Sequence, residues 1–215
     1  MGLRAPHAMI RFGLGRKPDD TLPNNPAEWL AAQVEHPGPA PAGGATVAEA
    51  MAASALDRTE PRPPGKPSRA RQMFRTEAQA LVDLAITTDA PFHERLVWFW
   101  ANHFTVSLRR GIIAPLVGAY VRDAIRPHVT GKFGDMLLAV MRHPAMLLYL
   151  DNAGSTGPAS AFGLKQRRGL NENLARGRRC CAGSTGLMGS PAAHSSRKRK
   201  RWRTRRWGRC CRMPR

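Results

Sequence analysis

Apolar side chains recur every three or four positions from residue 70 to residue 150, which is the spacing of one helix face. In the stretch 71–88, Met73, Phe74, Ala78 and Leu81 follow this spacing. No segment of the chain shows the sustained alternation of apolar and polar residues that a half-buried strand requires. The pattern therefore predicts an all-α fold.

Proline and glycine limit how long each helix can be. The segments 37–45 (PGPAPAGGA) and 60–68 (EPRPPGKPS) are predicted to be linkers, because proline removes a backbone donor and glycine adds conformational freedom. We therefore expect an irregular array of short helices joined by long Pro/Gly-rich loops. The predicted helices cover 26–36, 46–57, 71–88, 92–108, 114–128, 131–143 and 144–152, with a further helix start at 169–176, whereas 1–25 and 153–169 are predicted to be irregular.

Three regions follow from this pattern. Residues 1–68 form an irregular N-terminal region with short helices and Pro-rich linkers, and residues 69–176 form the helical core. Residues 177–215 form a basic tail that is predicted to be disordered, since it has little apolar periodicity and a high net charge.

The net charge of +19 comes mostly from this tail, which holds 13 of the 34 Lys and Arg residues and no Asp or Glu. Such an arm is predicted to bind nucleic acid and other polyanions nonspecifically, through counterion release. All four cysteines also lie there, in the adjacent pairs 180–181 and 210–211. Adjacent pairs lack the spacing of a zinc or redox motif, so no metal or cofactor site is predicted, and the cofactor requirement stays open.

His103 is the most conspicuous single polar residue of the core region. It follows Phe99 by four positions and Trp100 by three, so we expect a histidine on the apolar helix face, held by one hydrogen bond. The alternative is a catalytic base or metal ligand, but a lone histidine without a spaced partner is weak evidence for a metal. Asn102, one position away, is predicted to lie at the surface or between helices.

Two further groups of polar residues flank the loop at 153–169. Asp151 and Asn152 end a helix before glycine-containing sequence, which is typical of a structural turn; the alternatives are an oxygen-rich cation site or a carboxylate that acts on a substrate. Asn171, Glu172 and Asn173 are explained by helix capping alone.

Four runs of sequence resemble the bacterial family called domain of unknown function 1800. They are RFGLGRKP at 11–18, ERLVWFWANHFTVS at 94–107, the run 131–155 that ends in YLDNAGS together with IRPH at 125–128, and GLNENLAR at 169–176. The resemblance implies a mostly helical protein that belongs to a family without an established activity. One hypothesis for its role is a helical interaction or assembly protein, which would bind an unknown protein partner through uncovered apolar helix faces.

The family pairs the YLDN and NEN motifs, the second of which leads to Arg176. A loop between them could bring Asp151 and Glu172 together, and two carboxylates that share a site raise the pKa of one of them. The resulting alternative is a hydrolase-like or metal-assisted enzyme that uses His103, Asp151 and Glu172. Whether the protein is an enzyme stays open at this point.

The resemblance stops after Arg176. Permitted GC-rich codons for 178–191, read from the third base, encode a sequence similar to the family's own continuation, so we expect a chain that is truncated or frameshifted there. The N-terminus lacks a secretory apolar region and no apolar stretch approaches the roughly 20 residues that span a bilayer. A cytoplasmic location is therefore the default expectation, although the resemblance implies that many relatives are exported.

Overall fold

A computed structural model describes residues 4–38, 40–41, 43–61, 64–167 and 169–176. The predicted disordered tail, 177–215, lies outside these residues. Within the described residues the secondary structure is helical and contains no strand, so the predicted all-α class is confirmed. The α-helices are α1 (Ala5–Phe12), α2 (Pro26–Glu35), α3 (Val47–Thr59), α4 (Arg69–Thr87), α5 (Pro91–His103), α6 (Val117–Tyr120), α7 (Phe133–Arg142), α8 (Pro144–Tyr149) and α9 (Ala161–Gln166).

Side-chain caps explain where the helices after the linkers begin. The Asn25 side chain accepts hydrogen bonds from the first turn of α2, and proline occupies the first position of that helix. Thr46 and Glu49 form a reciprocal capping box at the start of α3. These helices therefore start within a residue of the predicted positions, because the capping residues that fix them are visible in the sequence.

The stretch 114–128 is less regular than the single predicted helix. Tight helical turns at Ala114–Leu116 and Arg126–His128 flank α6 and a wide turn, Val121–Ile125, in which the amide of Arg126 bonds to the carbonyl of Val121 five residues earlier. Pro127 has no amide hydrogen and cannot extend an α-helical ladder. The extra residue in the wide turn changes which side chains face the core, and wide turns of this kind recur at functional sites.

Two segments predicted to be irregular are helical. Helix α1 buries Ala8 and Met9 and ends before Gly13, within the stretch 1–25 that is predicted to be irregular. Helix α9 lies inside the predicted 153–169 loop, where the Ser160 hydroxyl caps the amide of Gly163. Both helices lie in segments whose glycine residues favour irregular structure over a helix.

The core lies between α5, the 114–128 stretch, α7 and α8. Its largest fully buried side chains are Tyr120, Ile113, Leu116, Ile125 and Met136. The Tyr120 hydroxyl donates a hydrogen bond of 2.7 Å to the carbonyl of Phe104, just past the end of α5. This bond ties α5 to the stretch that carries the wide turn. In the described part of the chain, no helix combines the length and hydropathy that a bilayer crossing needs.

Candidate functional site on helix α5

Helix α5 presents two contrasting faces. Pro91 starts the helix, since proline suits a first position whose amide would be unpaired, and the amide of Phe104 closes it on the carbonyl of Trp100. We call the buried residues His93, Glu94 and Val97 the inner face. The outer face consists of the exposed residues Trp98, Phe99, Asn102 and His103.

The inner face contains a buried ion pair between Glu94 and Arg126. The two guanidinium nitrogens donate to the two carboxylate oxygens at 2.5 and 2.7 Å, a bidentate geometry. The side chain of Glu94 is 1% exposed and that of Arg126 is 7% exposed. Arg126 reaches Glu94 from the end of the wide turn, so this pair joins α5 to the centre of the fold.

Two opposing effects set the pKa of Glu94. Burial by itself raises the pKa, because it disfavours the charged form. The hydrogen bonds from Arg126 and the positive charge of that arginine outweigh this, with a smaller contribution from the neighbouring His93, so the pKa of Glu94 lies below its ordinary value. Nδ1 of His93 lies 3.7 Å from the carboxylate. Glu94 is therefore ionised at neutral pH, which suits a structural anion better than a proton donor.

A second ion pair, between Glu77 and Arg122, holds the first linker against α4. One guanidinium nitrogen of Arg122 lies 3.3 Å from the Glu77 carboxylate, and the other donates to the carbonyl of Ala45 at 2.5 Å. The other carboxylate oxygen of Glu77 accepts the amide of Ala45 at 2.7 Å. Gly118 packs directly beneath this carboxylate, where an added Cβ would overlap it. Glu77 and Arg122 thus connect α4 and the 114–128 stretch to the first linker.

His143 lies between α7 and α8 and also serves the fold. Its Nδ1 accepts the amide of Ala145, which caps α8, and its ring centroid lies 5.2 Å from that of Tyr120. Burial lowers the pKa of His143, and the charge of Asp123 raises it by a smaller amount. The imidazole is therefore neutral at physiological pH, as a hydrogen-bond acceptor at Nδ1 requires.

The outer face is mainly aromatic. Trp98 is 46% exposed and Phe99 is 59% exposed, although a soluble domain usually buries such side chains. The Phe99 ring stacks against His103 with a centroid distance of 6.5 Å and an interplanar angle of 17°. The expectation that His103 lies in the core is wrong. The core takes Phe104 instead, one position further along the helix, so that His103 points to solvent beside Phe99.

The turn after α8 brings the two family motifs together through their backbones. Asp151 adopts a left-handed conformation (φ +61°), and its carboxylate forms an ion pair with Arg110. Asn171 donates from its side chain to the carbonyl of Asp151 at 3.3 Å and from its amide to the hydroxyl of Ser155 at 3.0 Å. Ser155 in turn donates to the side chain of Asn152 at 3.0 Å. These amide and hydroxyl contacts explain Asn152 and Asn171 as turn-forming residues.

The remaining residues of the NEN motif lie at the surface. Glu172 pairs with Arg176 at 2.8 Å one helical turn away, and Asn173 donates its amide to the side chain of Asn171 at 2.9 Å. Within the described residues, His103 forms no ion pair with Asp151 or Glu172, and each of these carboxylates pairs with a different arginine. No group of three or more His, Cys, Asp or Glu side chains in this part of the chain is placed to hold a metal ion.

The burial of these polar residues was not predicted from the sequence. From the sequence alone, Glu94 is accounted for by its place in the first turn of a helix, where a negative charge suits the helix dipole. Glu94 lies three residues before buried Val97 and shares its side of the helix, but the apolar spacing of Phe99, Trp100 and His103 does not assign that side to the core. A carboxylate on that face requires a buried cation, but nothing in the spacing identifies Arg126, since the wide turn that directs it inward is not visible in the sequence.

Comparison with known proteins identifies a family but no activity. The model of the family described as "Protein of unknown function (DUF1800)" matches residues 7–177, which include α5, the wide turn and both motifs of the Asp151 turn. No curated protein and no solved structure matches the chain.

Proposed function

Because this chain belongs to the DUF1800 family, whose description gives no activity, we propose its function from its own surface: it is an interaction protein that assembles through the outer face of α5. The observation that carries the proposal is the exposure of Trp98 and Phe99 side by side on one helix. Large aromatic side chains are enriched in the centres of protein interfaces and supply much of their binding energy.

The polar rim of this face fits the same role. Asn102 and His103 lie at the C-terminal end of the aromatic pair, and both are exposed. An apolar centre with hydrogen-bonding groups at its edge is the usual composition of a protein interface. Arg95, which flanks the pair, uses one guanidinium nitrogen to bond the carbonyl of Gly13 at 2.7 Å, and this bond holds α1 beside α5.

Binding accounts for the polar residues better than catalysis does. A catalytic acid or base needs a shifted pKa near the working pH and access to a substrate. Glu94 has a lowered pKa and is enclosed by Arg126, whereas Asp151 and Glu172 are each paired with an arginine at the surface. Among the described residues, no contact joins His103, Asp151 and Glu172 in the way that the hydrolase-like alternative requires. Polyanion binding by the tail, 177–215, stays a prediction that concerns residues outside the described part.

The partner we propose is a second copy of this chain. Every copy carries the same aromatic pair, and two such faces related by a twofold axis bring Trp98 and Phe99 of one copy against those of the other. Twofold homodimers are the commonest soluble assemblies, and their interfaces are self-complementary by symmetry. Burial of both aromatic pairs would remove the largest exposed apolar groups of α5 from water.

Sedimentation velocity of the full-length chain over a hundredfold concentration range tests the proposal. The test variant is W98Q/F99Q, since glutamine is polar and forms helices well. The matched control is Phe162→Gln, which removes an aromatic side chain of similar exposure from α9. We expect the wild type and the control to associate as concentration rises, and the dissociation constant of the double variant to increase by about tenfold or more.

Two results would contradict the proposal. A wild-type chain that sediments as a monomer throughout the range does not assemble with itself. Equal association of the wild type and W98Q/F99Q would place the contact on another surface. Moderate salt is used in every run, so that repulsion between the strongly basic chains is screened.

A further inference from the structure

A second surface feature precedes α5 in the chain and lies where the second linker meets the start of α4. Residues 64–68 and the first two turns of α4 line an open surface cleft of about 560 Å³. Three cations line it, and none of its described lining residues is Asp or Glu. The lining residues are Pro64, Gly65, Lys66, Pro67, Ser68, Arg71 and Arg75.

The two arginines of the cleft repel each other when no anion is bound. Arg71 and Arg75 are exposed and occupy successive turns on the same side of α4, about 6 Å apart at their Cβ atoms. Like charges at this spacing destabilise a helix. In the described part of the chain, neither arginine nor Lys66 takes part in an ion pair. An anion in the cleft would remove this repulsion.

The nearest carboxylates are already engaged. Asp57 accepts the amides of Arg69 and Ala70 at 3.0 and 2.9 Å, and Glu60 pairs with the side chain of Arg69 at 2.5 Å. The hydroxyl of Ser68 accepts the amide of Arg71 at 3.2 Å. The first amides of α4 are thus satisfied within the protein, and the side chains of the cleft must supply any binding of an anion.

The fixed backbone of the linker favours a compact anion such as a phosphate group. Pro64 and Pro67 fix the backbone on either side of Lys66, and Gly65 adopts a left-handed conformation (φ +77°) that turns the chain around the cleft. Guanidinium groups bind phosphate through paired N–H donors, and a lysine ammonium adds a point charge.

We propose that this cleft binds the phosphate groups of an anionic ligand, with Arg71 and Arg75 as bidentate donors and Lys66 as the closing cation. The ligand class is an anionic phosphate group, which either pyrophosphate in solution or the head group of an anionic lipid could present. The site is separate from the outer face of α5, so it can hold whether or not the chain assembles through that face.

Hydrogen exchange of the full-length chain, read by mass spectrometry for peptides that cover 64–76, tests the proposal locally. A local measurement is needed because residues 177–215 carry 13 Lys and Arg and would also bind phosphate. Pyrophosphate is the first probe, with sodium chloride at equal ionic strength as its blank. Vesicles of phosphatidylcholine with and without phosphatidylglycerol form the second arm.

The test variant is R71Q/R75Q, and the matched control is R11Q/R109Q, which removes the same charge from two other exposed positions. We expect pyrophosphate to slow exchange in 64–76 in the wild type and the control, and the half-saturating concentration to rise by about tenfold or more in R71Q/R75Q. Protection by phosphatidylglycerol vesicles alone would identify the phosphate source as a lipid head group.

Absence of protection with both probes would overturn the proposal. Equal protection of the wild type and R71Q/R75Q would also overturn it, because the two arginines would then contribute nothing. An unchanged exchange pattern of R71Q/R75Q in the absence of phosphate establishes that the variant is folded.

Discussion

The two faces of α5 invert the usual distribution of side chains. The inner face buries a carboxylate and a histidine, whereas the outer face leaves a tryptophan and a phenylalanine about half exposed. Burial of a charge costs several kcal/mol unless a partner compensates it, and exposure of an aromatic ring forgoes hydrophobic stabilisation. Each face therefore needs a separate explanation.

For the inner face, the explanation lies within the fold. Glu94 is compensated by a bidentate arginine that the wide turn delivers, so the pair fixes how α5 meets the 114–128 stretch. For the outer face, no described residue covers Trp98 or Phe99 sufficiently to bury it. The buried polar residues of α5 are thus explained by the fold itself, whereas the exposed aromatic residues are the basis of the proposed interaction.

Removal of the buried carboxylate should have the largest effect. We expect Glu94→Ala to lower the free energy of unfolding by about 3–5 kcal/mol, because Arg126 would remain buried without its partner. Urea denaturation followed by circular dichroism measures this loss. The control is Glu172→Ala, whose pair with Arg176 is exposed and which should cost less than about 0.5 kcal/mol.

The double variant E94L/R126M removes both charges at once, so its stability shows how much of the loss in Glu94→Ala comes from leaving Arg126 unpaired. An apolar pair of similar volume should recover most of the stability that the single variant loses, because no buried charge is left alone. Similar stability of Glu94→Ala and the wild type would mean that the inner face does not hold the fold, and the comparison between the faces would fail.

A smaller loss is expected at the second ion pair. Gly118→Ala places a methyl group against the Glu77 carboxylate and should cost about 2 kcal/mol, since the overlap displaces Glu77 from Arg122 and Ala45. Gly134→Ala is the matched control: it lies near the start of α7 with open space around its Cβ position and should be neutral or slightly stabilising. Thermal unfolding compares the two, and equal midpoints would contradict the proposed contact.

Acidification should gradually weaken the contacts of two buried titratable residues, His143 and Glu94. The lowered pKa of His143 means that, below pH 6.5, the unfolded chain takes up a proton that the folded chain resists, so stability falls as the pH decreases from there. The lowered pKa of Glu94 adds a further loss below pH 4.5. The urea midpoint, measured from pH 7.5 to 4, reports both.

The variant His143→Asn isolates the first part of this loss. Asparagine can also cap α8 but does not titrate, so the decline between pH 6.5 and 5 should flatten while the loss below pH 4.5 remains. An unchanged profile in this variant would show that His143 does not contribute to the pH dependence.

Local signals made much of the fold predictable from the sequence. The helices α2, α3, α4, α7 and α8 follow from apolar periodicity bounded by proline and capping residues such as Asn25 and Thr46. The helix α1 and the wide turn were not predictable, since one is a single short amphipathic segment and the other depends on hydrogen-bond register around Pro127.

The candidate site was predictable only in part. The sequence identified α5 and its residues Asn102 and His103, but it placed Phe99 and His103 in the core. Helical spacing groups residues on one face without specifying which face the rest of the fold covers. Trp98, Phe99 and Phe104 are similar in hydrophobicity, and only tertiary packing determines that Phe104 is buried while the other two are exposed.

The smallest expected effect on stability gives the most direct test of the contrast between the two faces. The measurement is the free energy of unfolding of Phe99→Gln beside that of Val97→Ala, in urea, at a concentration where the wild type sediments as a monomer. We predict a loss below about 1 kcal/mol for Phe99→Gln, since the ring is mostly exposed, and about 2 kcal/mol for buried Val97→Ala. A loss for Phe99→Gln that equals or exceeds that of Val97→Ala would make the outer face part of the core and contradict the account.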